Sequence, residues 1–150
     1  MALPKDWKEW LECLNSNSVD YVLVGAFAVM YHSVPRTTID IDVLVRPAEW
    51  NAERVLAALR DFGFGSLKLT SEDFTTPGRV VQLGTESHRH PHDDQRRRDR
   101  RDLAGRVAGR LEGVPVWFLG RDALIKNKRA AGRLKDLRDL EEMGLRQPGE

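Results

Sequence analysis

Apolar residues along this chain recur in two rhythms, a helical one and an alternating one. Within residues 6–16, Trp7, Trp10, Leu11 and Leu14 fall at helical spacing, which predicts a helix with one buried stripe. Asn15, Asn17 and the neighbouring serines then stop it. Tyr21 to Val24 is a short unbroken apolar run, read as a strand that Gly25 ends. Ala26 to Tyr31 predicts a short helix packed on a sheet, and Ser33 to Thr38, with Pro35, a loop. Thr38 to Val45 alternates and is rich in β-branched residues, which predicts another strand.

Pro47 then sits where a helix opens, with Trp50, Val55, Leu56, Leu59 and Phe62 as its inner face and Gly63 and Gly65 as its stop. Beyond it, Ser66 to Leu69 is a strand candidate and Ser71 to Gly78 a loop. Arg79 to Leu83 and Val114 to Leu119 are strand candidates, the latter after a turn at Glu112-Gly113. Asp122 to Ala131 and Leu134 to Met143 predict two helices parted by Gly132. Strands mixed with helices argue for an α/β or α+β fold.

One region has neither rhythm. From Gly84 to Asp102 the chain reads GTESHRHPHDDQRRRDRRD, with no apolar residue except Pro91. Such a segment cannot bury a face, so 85–103 is expected to be exposed and poorly ordered. The abrupt change of composition, and the equally abrupt return near Gly105, is what a pair of compensating frameshifts in a GC-rich gene would leave. One back-translation of His90 to Arg98, read one base later, gives an apolar, β-branched segment.

Length and composition narrow the setting. A chain of 150 residues reads as one domain, 1–150. Its only cysteine, Cys13, excludes an internal disulfide and suggests a reducing, intracellular compartment. The N-terminus lacks a signal-type apolar region and no run is long enough to span a membrane, so the expectation is a cytoplasmic protein without a membrane partner. Net charge is only +1. That gives little global attraction for nucleic acid, although 96-RRRDRR-101 and 126-KNKRAAGRLK-135 are locally basic.

The candidate chemistry lies in 39-IDIDV-43. On a strand, Asp40 and Asp42 project from one face while Ile39, Ile41 and Val43 project from the other. Two neighbouring carboxylates repel unless a cation sits between them. Mg²⁺ suits such a pair, because it takes one or two carboxylates plus substrate phosphates. The same three-residue motif also describes a solvated polar face of an edge strand. Upstream, a helix start after Gly25 offers backbone N–H groups to a phosphate, or is a plain strand-to-helix turn. Arg36, Thr37 and Thr38 lie between the two elements, within reach of a triphosphate or simply on the loop surface. His32 reads as a packed or loop histidine. His88, His90 and His92 alternate as a three-histidine metal site would on a strand, but Pro91 and the surrounding charge argue against a strand there.

Val24-Gly25-Ala26-Phe27-Ala28-Val29, then His32, then Pro35-Arg36-x-Thr38-x-Asp40-Ile41-Asp42, resembles minimal nucleotidyltransferases of the DNA-polymerase-β superfamily. It looks most like the branch containing AbiEii-type toxins of toxin–antitoxin pairs. The C-terminal 119-LGRDALIKNKRAAGRLKDLRDLEEM-143 is similar to the same branch, and the resemblance covers roughly 18–84 and 104–143. It implies a polymerase-β-like fold, a small mixed sheet with helices packed on one side.

The resemblance also implies Mg²⁺- (or Mn²⁺-) dependent transfer of a nucleotide from a nucleoside triphosphate to an acceptor hydroxyl on tRNA or protein, with an antitoxin as partner. Asp40 and Asp42 would be catalytic metal ligands. Gly25 and Ala26 would cradle the phosphates, with Arg36 and Thr38 nearby. Lys126, Lys128 and Lys135 would neutralise the triphosphate, or else form a solvated helix face. Asp136 and Asp139 share a helix face and would orient these lysines, or merely cap and solvate the helix.

The chain departs from the pattern where a third carboxylate belongs, on a strand soon after Gly84; Glu86, Asp93 and Asp94 are the acids there. Two other readings stand beside the enzyme: a catalytically impaired remnant that binds nucleotide or a partner protein, and a nucleic-acid-binding module using 96-RRRDRR-101.

Overall fold

The computed structural model describes residues 3–33, 40–64, 68–76, 79–84, 91–93 and 101–144. Helix α1 (Lys5–Ser16) leads into strand β1 (Tyr21–Val24), helix α2 (Ala26–His32), strand β2 (Asp40–Val45) and helix α3 (Glu49–Asp61). A 3-10 turn at Ser71–Phe74 precedes β3 (Arg79–Gly84), β4 (Pro91–Asp93), the short α4 (Arg101–Ala104), the hairpin β5 (Val107–Leu111) and β6 (Val114–Phe118), and helices α5 (Arg121–Ala131) and α6 (Leu134–Glu142). Among the described residues, six strands form one sheet in the order β4-β3-β2-β1-β6-β5. Of these described strands only β1 and β6 run parallel, and the other neighbouring pairs are antiparallel. The mixed α/β class expected from the sequence is what forms.

The central strands are covered on both faces. In β1, Tyr21 and Leu23 join a core with Trp7, Trp10, Leu11 and Leu14 of α1 and Val55 and Leu59 of α3. Val22 and Val24 join a second core with Leu103 of α4 and Leu124 of α5. The one-sided helical layer expected above is therefore wrong: YVLV buries every residue because both sides are packed. Trp10, Leu11 and Leu14 are essentially inaccessible, and each such side chain contributes about 1.5–3 kcal/mol on burial.

Several local expectations need correction. Pro47 precedes the N-cap, Ala48, and does not open α3. Trp50 faces solvent at 48% exposure, with the Arg54 guanidinium 4.9 Å above its ring. Asn51 and Ala52 take the inner positions, and Asn51 bonds the backbone of Asp20 and Arg46. Of the strand candidate Ser66 to Leu69, Ser66 and Leu67 lie outside the described residues and Lys68 and Leu69 are irregular, while Ser71–Phe74 is a 3-10 turn that buries Phe74. Inside the segment expected to lack order, Pro91–Asp93 pairs with β3 and Arg101–Ala104 is helical. Proline is compatible with that position because β4 lies at the sheet edge.

Strand β5 was not expected. It pairs with β6 across Glu112 and Gly113, both at positive φ (47° and 81°), the geometry of a tight hairpin turn. Among the described residues, no helix is long and apolar enough to cross a membrane.

Candidate functional site

Strand β2 carries the acidic pair as its alternation requires. Ile41 and Val43 are fully buried in the α1/α3 core. Asp40 and Asp42 are half-buried, and Leu44, two residues on, lies in the second core beside α5. The two carboxylates therefore share the face on which α5 packs.

Gly25 completes this corner. Register sets Val24 opposite Asp42, so the turn after β1 arrives beside that carboxylate. A Cβ on Gly25 would lie 2.5 Å from Asp42 Oδ2. The backbone there has φ 66° and ψ −142°, a region open to glycine and strained for other residues. Both the close approach and the dihedrals demand glycine, and together they press a backbone turn against a carboxylate. Ala26 follows as the first residue of α2. Arg36 and Thr38 lie outside the described residues, as do Thr37 and Ile39.

His32 ends α2 with Nε2 2.7 Å from the Leu119 carbonyl oxygen and its ring edge-on to Tyr31. It is a packed histidine that ties α2 to the end of β6, as its sequence context suggested.

The lysines divide. Lys126 and Lys135 are exposed on α5 and α6. Lys128 is 4% exposed, with Nζ 2.8 Å from Asp139 Oδ2 and 3.2 Å from Asp136 Oδ1. Arg133 adds a bond from Nε to Asp136 Oδ2 at 2.7 Å, and its backbone N–H reaches the same carboxylate. Burial raises the Asp136 carboxyl pKa, but the hydrogen bonds and charges of Arg133 and Lys128 outweigh it and leave the pKa below its ordinary value. Neither a solvated lysine nor a solvating acidic pair describes this cluster. It is a buried lock across the α5–α6 turn, whose C-cap Gly132 is left-handed (φ 62°). The Lys-x7-Asp-x2-Asp spacing around a glycine was the available signal.

A second ionic cluster was missed. Asp20, just before β1, accepts from both Arg46 and Arg106, which lower its pKa against the opposing effect of burial. Arg106 also stacks 4.4 Å from the centroid of the Trp117 ring. It fastens the segment after α4 to the start of β1 and to β6, and Arg46, just after β2, closes on the same carboxylate.

No third carboxylate stands on β3. Gln82 is opposite Asp42 and Gly84 opposite Asp40. Asp93 pairs with Arg79, three residues along β3 from the Asp42 level, or roughly 10 Å at the usual strand rise. Glu86 and Asp94 lie outside the described residues, as do His88 and His90; His92 is level with Val80. Among the described residues, no group of three or more His, Cys, Asp or Glu side chains could hold a metal. Asp40 and Asp42 with substrate phosphate oxygens would still be a suitable donor set for Mg²⁺.

Comparison of the chain with models of protein families, with curated proteins and with solved structures gave no match.

Proposed function

We propose that this protein is a Mg²⁺- or Mn²⁺-dependent nucleotidyltransferase that moves a nucleotide from a nucleoside triphosphate to an acceptor hydroxyl on tRNA or protein. The observation that carries the reading is the packing of the Gly25 turn against Asp42, with Asp40 on the same face of β2. Asp40 and Asp42 would hold the metal, which would supply Lewis-acid stabilisation of the charge that develops on the phosphates as pyrophosphate leaves. Gly25 and Ala26 would bring backbone close to the phosphates, and Lys126 and Lys135 would supply mobile positive charge. Lys128 receives no such role, because it is buried between two aspartates. Arg36 and Thr38 remain with the triphosphate through the sequence resemblance. A partner antitoxin belongs to the same reading.

Incubation with α-phosphate-labelled triphosphates, Mg²⁺, total tRNA and a protein extract tests it. Label transfer that disappears in Asp40→Asn supports the enzyme. Absence of transfer from a folded protein rejects it. One observation favours a second reading, a nucleotide-binding protein without turnover: Gln82 and Gly84 occupy the β3 positions across from the acidic pair. Metal-dependent binding of triphosphate without transfer would identify that protein.

A further inference from the structure

A cavity of about 230 Å³ lies between α2 and the β5–β6 hairpin, lined by residues the proposed chemistry does not use. Phe27, Met30 and Tyr31 of α2 line it, with Leu3, Leu111 and Phe118. Tyr31 is 45% exposed, yet its ring stacks on Phe118 with centroids 4.3 Å apart and planes 12° from parallel. The stack depends on Gly109: a Cβ there would lie 2.6 Å from the Phe118 ring and 3.1 Å from Tyr31. A glycine in a strand that admits an aromatic pair marks a built feature.

The polar groups are few and carry both signs. Arg110 and Glu112 are exposed residues that also line the cavity. They are not ion-paired with each other or with another described residue, and Glu112 Oε1 accepts the Leu3 backbone N–H at 2.7 Å. Apolar walls fix the body of a ligand while a few polar groups select its head. An apolar cavity of about 150 Å³ is enough for benzene, so this one suits a single or fused aromatic ring. A guanidinium and a carboxylate suit a head with one negative and one positive charge.

We propose that this cavity binds a small aromatic zwitterion, with the aromatic α-amino acids as the simplest members of the class. The ring lies against Tyr31, the ligand carboxylate meets Arg110, and the ligand ammonium meets Glu112. The proposal does not rest on nucleotidyl transfer.

Calorimetric titration of the full chain with L-tryptophan, tryptamine, indole-3-propionate and N-acetyl-tryptophanamide tests it. The expected result is one saturable site for tryptophan. Each analogue lacking a charge should bind several-fold more weakly. Tyr31→Ala should weaken tryptophan about tenfold, the usual order for losing an aromatic contact. Arg110→Gln should make tryptophan and tryptamine equivalent. Both substitutions are at exposed positions, and an unchanged melting temperature checks that the fold persists. No saturation by about 10 mM tryptophan, a very weak limit, overturns the proposal. So does tryptophan binding that Tyr31→Ala leaves unchanged. Equal binding of N-acetyl-tryptophanamide also overturns it and identifies a socket for an aromatic side chain of a partner protein.

Discussion

Replacing Lys128 by methionine should be among the most damaging single changes on the α5–α6 hairpin. The side chain is 4% exposed, and its ammonium lies 2.8 Å from Asp139 and 3.2 Å from Asp136. Methionine fills similar space, so little cavity forms, but two buried carboxylates lose their shared cation. Breaking a buried ion pair from one side costs about 3–5 kcal/mol, against a total of roughly 5–15 kcal/mol for an average domain. Arg133, which still bonds Asp136, moves the expectation to the lower half of that range.

Urea unfolding followed by tryptophan fluorescence measures the cost, since Trp7 and Trp10 are buried against the same sheet. The pH dependence separates lost charge from lost packing. In the parent, the Asp136 pKa is depressed on folding. Its contribution to stability is therefore present at neutral pH and lost as pH falls through the carboxylate range. In Lys128→Met, Asp136 keeps Arg133 as its partner but loses Lys128, so its depression is smaller and less stability is lost as pH falls. The deficit should shrink as pH falls from 7 toward 4. A loss below about 1 kcal/mol, the scale of an exposed pair, or a deficit independent of pH, would refute this reasoning.

Three other outcomes are expected, two from the structure and one from the sequence. Gly25→Ala should lose about 1–3 kcal/mol from backbone strain alone. Its Cβ would also displace the Asp42 carboxylate, so metal-dependent triphosphate binding should vanish in a variant that chemical denaturation still shows to be folded. Asp20→Asn should destabilise the chain by removing the negative charge and replacing one of the two oxygens that accept from Arg46 and Arg106 with an NH2 donor. It should also flatten the fall in stability on acidification, because the depressed Asp20 pKa contributes stability above the carboxylate range and loses it below; an acid limb as steep as the parent's would count against the clamp. Reading the coding DNA one base out of frame across codons 88–104 should yield an apolar, β-branched strand; a polar translation eliminates the frameshift idea.

The legibility of this chain varied with the kind of side chain that carries each element. Trp7, Trp10, Leu11 and Leu14 mark α1 because large apolar residues at helical spacing have few other uses. Ile41 and Val43, alternating with Asp40 and Asp42, gave both the strand and its acidic face. By contrast, β5 reads VAGRL, which is largely exposed. Its pairing with β6 holds it in the sheet, so hydrophobic pattern gave little signal; the Glu112-Gly113 turn was the better clue. Trp50 was placed inside because tryptophan is apolar, yet Arg54 covers it at the surface.

That Asp136 and Asp139 hold a lysine was one of the alternatives in the sequence; the burial of the lock escaped for the opposite reason. Lysine and aspartate are seldom buried unless paired, and the pairing of Lys128 with Asp136 and Asp139 exists only once α5 and α6 fold back about Gly132. The two-sided sheet was implicit in YVLV and VLV, runs too continuous for a strand with one solvated face. Gly25 and Asp42 were legible as neighbours in a motif. Their contact is a matter of register and needed the structure.

The most direct test of the central claim is calorimetric titration of purified protein with a nucleoside triphosphate, with and without Mg²⁺, in the parent and in Asp40→Asn. Metal-dependent binding in the parent, abolished in Asp40→Asn at an unchanged melting temperature, is the predicted result. Binding that is indifferent to Mg²⁺ or to Asp40 would show that β2 carries a polar surface and that the metal site does not exist.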